Sequence, residues 1–106
     1  MAKPPRPRTA RRVDARAARD LVRAREKLDA LEPGGSAARP LSVETAAIVE
    51  LRATRTPCPQ CGGELHLEAH DAVVVDDRRL RRVTLRCRQC GAPRTRWFVL
   101  DVVLPN

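Results

Sequence analysis

Aromatic side chains are almost absent from the 106-residue chain, which has one Trp, one Phe and no Tyr. A small domain with so few large apolar side chains buries too little apolar surface to be stable without further stabilisation, such as a disulfide bond or a bound metal ion. Long apolar runs are also absent, since the one at Trp97 to Leu100 is broken by Asp101. The start, MAKPPRPRTARR, is basic and proline-rich and lacks the apolar stretch of a secretory leader. The sequence therefore predicts a cytoplasmic protein with reduced thiols and no membrane span.

Charge is the property that the chain has in excess, with a formal net charge of +8. Residues 1–40 carry 11 Lys or Arg against 5 Asp or Glu, hence +6, whereas residues 58–106 carry 8 against 6, hence +2. Five of the basic side chains precede Val13, with no acidic residue among them. A basic segment of this kind indicates an anionic partner such as the backbone of DNA or RNA.

The N-terminal half has the pattern of helices. Residues 1–8 contain three prolines and predict a disordered basic arm. Residues 9–55 predict a helical segment of two helices that form a hairpin. The first runs from Thr9 to Glu32 and stops at a Pro-Gly-Gly-Ser sequence, and the second runs from Val43 to Thr54 with Ser42 as its N-cap.

The first predicted helix has a narrow apolar seam of the coiled-coil kind. Its members are spaced 4, 3, 4 and 3 residues apart and are Ala17, Leu21, Ala24, Leu28 and Leu31. The seam is short and contains Ala at alternate positions, which favours docking within the chain or onto a larger protein partner through Leu21, Leu28 and Leu31 over an independent coiled coil.

Residues 56–106 have the alternating pattern of strands and contain all four cysteines. Each half-site is a Cys-x-x-Cys followed by glycine, and 25 residues separate Cys61 from Cys87. The glycine can adopt positive φ, which lets the turn direct backbone N–H groups at the sulfur atoms. Two such half-sites supply the four thiolates that a tetrahedral zinc ion prefers, so Cys58, Cys61, Cys87 and Cys90 predict one structural Zn²⁺ site.

The sequences CPQCGG and CRQCG resemble the paired, rubredoxin-type knuckles of four-Cys zinc ribbons. Zinc ribbons occur in transcription elongation factors, RNA polymerase subunits, ribosomal proteins and small bacterial proteins. Over residues 57–104 the resemblance implies a three-stranded antiparallel ribbon, and with the helices an α+β fold. Some elongation-factor ribbons carry an acidic pair at the hairpin tip that stimulates nucleic-acid cleavage. Asp76-Asp77 lies at the comparable place, but the arginines that follow favour a plain turn.

Other uses of paired cysteines remain open at the level of sequence. A redox dithiol is one alternative, although the βαβ pattern of thioredoxin-like proteins is missing. Iron is another, although Arg88 stands where rubredoxins have Pro and the aromatic core is lacking. A catalytic zinc would need an open coordination position, and four thiolates leave none.

The sequence thus predicts a non-catalytic protein, because it has no nucleophile–base constellation and no phosphate-binding loop. The first hypothesis is binding to nucleic-acid backbone, or to a nucleic-acid-associated complex, through five arginines: Arg11, Arg12, Arg82, Arg86 and Arg96. The last three could form a basic strip across neighbouring strands. The second hypothesis is a protein-interaction module that docks through the N-terminal helices, with zinc serving only to stabilise the fold.

Overall fold

The computed structural model describes residues 7–101 of the chain. It contains two helices and four strands. These are α1 (Pro7–Leu31), β1 (Leu41–Val43), α2 (Ala46–Arg55), β2 (Leu65–Val75), β3 (Arg78–Cys87) and β4 (Pro93–Leu100). Neither helix in this part of the chain combines the length and the hydrophobicity needed to cross a membrane. The expectations for residues 1–6 of the basic arm and for the last strand beyond Asp101 lie outside the described residues.

The strands form one mixed sheet in the order β1-β4-β3-β2, so the expected three-stranded antiparallel ribbon is wrong. β2, β3 and β4 are antiparallel neighbours, but β1 adds a fourth strand that runs parallel to β4. Leu41 lies opposite Phe98 and Val43 opposite Leu100, which extends the apolar surface of the sheet by one strand. The sequence predicted an N-cap at Ser42 and the start of a helix at Val43, because three residues are too few to show the period of a strand.

Strand β1 also moves the start of the second helix. Ser42 lies in β1, where its hydroxyl is 3.3 Å from a carboxylate oxygen of Asp101. The N-cap is Thr45 instead, whose side-chain oxygen accepts a hydrogen bond from the N–H of Ile48 at 3.3 Å. Thr45 has the extended backbone that an N-cap requires, so it satisfies one of the free N–H groups at the helix start.

The β2–β3 hairpin turns at Asp76 and Asp77, which have φ values of 49° and 63°. Two consecutive residues with positive φ are the mark of a type I′ turn, whose twist matches that of the flanking strands. Asp adopts this conformation more readily than most non-glycine residues because its short side chain can bond to the local backbone. The acidic pair therefore has a structural role at the hairpin tip.

The core is small and lies between α2 and one face of the sheet. Val49 and Ala53 of α2 pack there among the apolar side chains of the strands, which include Val83, Leu85 and Phe98, and all five are almost completely buried. The core reaches the cysteines directly, because the apolar cluster includes Cys58 and Cys87. Whatever holds the cysteines together therefore also holds one end of the core.

Helix α1 does not pack against α2, so the expected helical hairpin is wrong as well. No residue of α1 is buried. The helix is held instead by ion pairs near its C-terminal end, where Arg94 bonds to Glu26 at 2.6 Å and Arg96 bonds to Asp29 at 2.8 Å. Asp29 also lies 3.3 Å from Arg94. We call these four residues the ion-pair joint.

The joint is buried on the sheet side. The side chains of Arg94 and Arg96 are only 8% and 6% exposed, and that of Asp29 is 12% exposed. The hydrogen bond from Arg94, together with one from Gln60, lowers the pKa of Glu26 to about 2 against the opposing effect of desolvation. The same hydrogen bond with Glu26 raises the pKa of Arg94. Glu26 and Arg94 are therefore both charged at neutral pH. Removal of Asp29 would leave the buried Arg96 without an acidic partner, whereas Arg94 would still have Glu26.

We expect the substitution Asp29→Ala to lower the free energy of unfolding by about 3 kcal/mol, because it leaves the buried guanidinium of Arg96 unpaired. Urea titration followed by Trp97 fluorescence measures this loss. The matched control is Asp20→Ala, which removes an exposed acid from the same helix and should change stability by less than about 0.5 kcal/mol. Equal losses in the two variants would show that the joint does not stabilise the fold.

Candidate functional site

The first cysteine pair lies in a tight turn between α2 and β2. The N–H of Gly62 donates to the carbonyl of Cys58 at 2.7 Å, and the N–H of Cys58 donates to the carbonyl of Gly63 at 2.9 Å. Gly62 has a φ of 75°, which a side-chain-bearing residue rarely adopts. This closure brings the two sulfur atoms of Cys58 and Cys61 to the same side of the turn and completes the first knuckle.

The second pair repeats this geometry between β3 and β4. The N–H of Gly91 donates to the carbonyl of Cys87 at 3.0 Å, and Gly91 has the same φ of 75°. The N–H of Cys87 donates to the carbonyl of Ala92 at 3.0 Å. A hydrogen bond of 2.9 Å from the N–H of Arg88 to the carbonyl of Glu64 then ties the second knuckle to the first.

The two knuckles bring all four sulfur atoms to within 4.8 Å of one another. The Sγ atoms of Cys58 and Cys90 are 3.8 Å apart, and those of Cys61 and Cys87 are 3.4 Å apart. A tetrahedron of sulfur atoms around a zinc ion at about 2.3 Å has edges of roughly 3.8 Å. The spacing therefore fits one metal ion, and the predicted ligand set Cys58, Cys61, Cys87 and Cys90 is brought together as a whole.

Backbone N–H groups surround the sulfur atoms and favour the thiolate form. The N–H groups of Cys90 and Gln89 each donate to Sγ of Cys87 at 3.4 Å, which lowers the pKa of this thiol to about 6. The pKa of Cys61 rises to about 12, since the N–H of Gly63 lowers it but bonds to the neighbouring thiols and desolvation outweigh that effect. Cys61 thus retains its proton when no cation neutralises the thiolate, and a bound metal ion would displace that proton.

The donor set distinguishes among the possible occupants. All four cysteines are free thiols, two buried and two exposed at the surface. Four sulfur donors suit zinc or iron, and not the hard cations that bind oxygen. The complete set leaves no coordination position for a substrate, so the arrangement can stabilise the fold but has no open metal site for catalysis.

Gly63 allows the two knuckles to approach closely. A Cβ atom at this position would lie 2.8 Å from Sγ of Cys87 and 2.8 Å from Cβ of Gln89. Both distances are shorter than real Cβ contacts, so any side chain here would push the second knuckle away. The second glycine of the CPQCGG sequence is therefore a requirement of the cluster, for which the sequence offered no specific reason.

The structure does not bring Arg82, Arg86 and Arg96 into one strip. Arg96 lies opposite Val83 in the β3–β4 ladder and so shares the buried face of the sheet, while Arg82 and Arg86 point to the other face. Each of the three also lies beside an acidic side chain. Arg82 is 3.7 Å from Asp71, Arg86 is 2.6 Å from Glu68, and Arg96 belongs to the ion-pair joint.

Further basic side chains lie along α1. Five arginines follow one face at spacings of 4, 4, 3 and 4 residues, all of them exposed. They are Arg8, Arg12, Arg16, Arg19 and Arg23, and we call them the arginine stripe. At 1.5 Å per residue the stripe is about 22 Å long. It includes the predicted Arg12, whereas Arg11 lies roughly 100° away around the helix.

Sequence reasoning missed the ion-pair joint, although its parts have recognisable periods. Arg94 and Arg96 are two residues apart on a strand and so share a face, and Glu26 and Asp29 are three apart on a helix and do the same. Two such pairs of opposite charge are complementary. Their separation in sequence, 67 residues between Asp29 and Arg96, gave no indication that they meet.

The chain matches no protein-family model, no curated protein and no solved structure. Function is therefore argued from the cysteine cluster and the charged surfaces.

The substitution Gly63→Ala should weaken metal affinity by about 10–100-fold, as expected when a group that orients a metal ligand is disturbed. Competition with a chromophoric zinc chelator measures the affinity. The matched control is Glu64→Ala, at the next residue, which is exposed and bears a Cβ already, and it should bind zinc as the unaltered chain does. Unchanged affinity in Gly63→Ala would contradict the close approach of the knuckles.

Proposed function

We propose that the chain is a non-catalytic zinc protein that binds the phosphate backbone of nucleic acid through the arginine stripe of α1. The four-sulfur cluster holds one Zn²⁺ as a structural ion and thereby stabilises the end of the sheet to which α1 is joined. The observation that carries the proposal is the stripe itself, a row of five exposed arginines on a projecting helix.

The shape of the molecule supports a role for α1 in contacting a partner. The described residues extend over 74 × 25 × 21 Å, and a helix of 25 residues accounts for about 37 Å of that length. The joint holds α1 only near Glu26 and Asp29, so the residues from Arg8 to Arg23 lie beyond the sheet. Their side chains can reach a phosphate backbone without steric hindrance from the rest of the fold.

Charge supports an anionic partner for this part of the chain. Helix α1 carries 8 Arg or Lys and 4 Asp or Glu, a net charge of +4. Two of the four acids, Glu26 and Asp29, are already paired with arginines of β4, so they do not neutralise the stripe. Arginine donates hydrogen bonds in a fixed fork that matches phosphate oxygens, and each neutralised phosphate releases a counterion.

The sheet supports this function less well. Arg82 and Arg86 are half-exposed but lie beside acids that compete with phosphate, and Arg96 is buried. The hairpin tip adds Arg78 and Arg79, yet Asp76 and Asp77 lie next to them. We therefore assign backbone binding to α1 and treat the sheet as the element that positions it.

The triple substitution Arg12→Gln, Arg16→Gln and Arg19→Gln should weaken binding to duplex DNA or RNA and reduce its salt dependence. Each lost phosphate contact lowers the slope of log K against log salt by about 0.9 for B-form DNA, so the expected reduction is about 2.7. Fluorescence anisotropy with a labelled duplex, measured from about 50 to about 200 mM salt, determines both quantities.

The matched control removes the same charge from the sheet region through Arg78→Gln, Arg79→Gln and Arg88→Gln, all at exposed positions. This variant should retain most of the affinity and of the slope. The proposal fails if the unaltered chain does not bind at low salt, or if the two triple variants lose binding equally, since net charge alone would then explain the effect.

A further inference from the structure

The apolar seam of α1, formed by Ala17, Leu21, Ala24, Leu28 and Leu31, is exposed along its whole length. Leu21, Leu28 and Leu31 are 50%, 65% and 58% exposed, and no residue in the described part of the chain covers them. The expectation that the seam docks within the chain is therefore wrong. We propose that the seam pairs with the seam of a second copy of this chain, as a short parallel coiled coil.

The position of the seam leaves room for a second helix. The seam lies roughly 150° around the helix from Glu26 and Asp29, which face the sheet, and roughly 140° from the centre of the arginine stripe. A helix packed along the seam would therefore displace neither the ion-pair joint nor the stripe. The joint and the stripe lie about 70° apart around the helix and at different heights along it, and both leave the side with the seam open.

Spacing supports a partner that is itself a helix. Leu21 and Leu28 occupy one heptad position, and Ala17, Ala24 and Leu31 occupy the other. The 4, 3, 4, 3 spacing keeps these positions facing a partner over two heptads, with each side chain inserted between those of the opposite helix. A helix that packs on a globular protein usually has a broader apolar stripe than this one, so the narrow width of the seam favours a helical partner.

Charge complementarity identifies the second helix as another copy of α1. The residues that directly precede Leu21 and Leu28 lie at the edge of the seam. In a parallel pair, each of them lies opposite the residue that is five positions further along the other copy. This sets Asp20 against Arg25 of the second copy and Lys27 against Glu32 of the second copy. Both pairs are of opposite sign, and the symmetry of the dimer generates each of them twice.

The side chains of these ion pairs are accessible to a second copy of the chain. Arg25 donates one N–H to the carbonyl of Gln60 at 2.7 Å, which leaves other donors of its guanidinium for a second partner. Glu32 directly follows the last residue of α1 and is exposed. Asp20 and Lys27 are exposed as well.

Orientation follows from the residues at the edge of the seam. An antiparallel pair centred on the seam would set Leu31 opposite Ala17 of the other copy, so this leucine would not meet another leucine. A parallel pair sets each leucine of the seam opposite the same leucine of the other copy. The pairing ends at Asp14, where two carboxylates would face each other. The two helices would separate at that point, which leaves both arginine stripes exposed.

The dimer is tested without nucleic acid, so its outcome is separate from that of backbone binding. Sedimentation equilibrium over about 1 μM to about 1 mM covers the range in which so short a coiled coil would associate. We expect the mass to rise from 11.8 kDa towards twice that value. Leu28→Asp should keep the chain monomeric throughout, whereas Val74→Asp, at an apolar side chain 68% exposed on the hairpin, should leave association unchanged.

A charge exchange tests the parallel arrangement. Lys27→Glu should weaken association by at least about tenfold, and the double variant with Glu32→Lys should restore it, because the two charges then attract again across the pair. Circular dichroism and zinc content confirm that every variant is folded. A wild-type chain that remains monomeric at about 1 mM, a Leu28→Asp variant that still associates, or a double variant that is not restored would each overturn the proposal.

Discussion

The sheet, the core and the position of α1 all depend on the convergence of four thiols at one point. The core has few fully buried side chains, and two of its members are the metal-site residues Cys58 and Cys87. A domain with so little apolar surface needs a further source of folding energy. A metal ion bound by the four thiols would supply it, because a preformed sulfur cluster does not exist in the unfolded chain and the binding energy is then folding energy. The sheet is stable to the extent that the two knuckles are held together.

The helix depends on the sheet through charge and not through apolar packing. Arg94 and Arg96 lie on β4, and β4 follows directly from the second knuckle, so the cysteine cluster positions the joint. A joint made from the acidic face of α1 leaves its arginine face and its leucine face exposed. This division would let one short helix serve both proposed contacts, with an anion on one side and with another helix on the other.

The sequence indicates the metal site well and the rest of the fold less well, for identifiable physical reasons. Cysteine ligands are few, chemically specific and locally spaced, so Cys58 to Cys61 and Cys87 to Cys90 could be paired by inspection. Strand β1 could not be predicted from the sequence, because Leu41–Val43 is too short to show a period and its pairing with β4 is non-local. The joint is also non-local, and Arg96 was interpreted as a phosphate ligand because its acidic partner Asp29 lies 67 residues away in the sequence.

X-ray absorption at the zinc edge of freshly purified protein tests the four-sulfur zinc site, because it reports the identity and the number of the ligand atoms. We expect about one zinc per chain, with four sulfur atoms at about 2.3 Å and no nitrogen or oxygen bound to it. A shell that contains nitrogen or oxygen would contradict a closed cluster of Cys58, Cys61, Cys87 and Cys90. A folded chain that contains no metal and has its cysteines in disulfides would contradict the account as a whole.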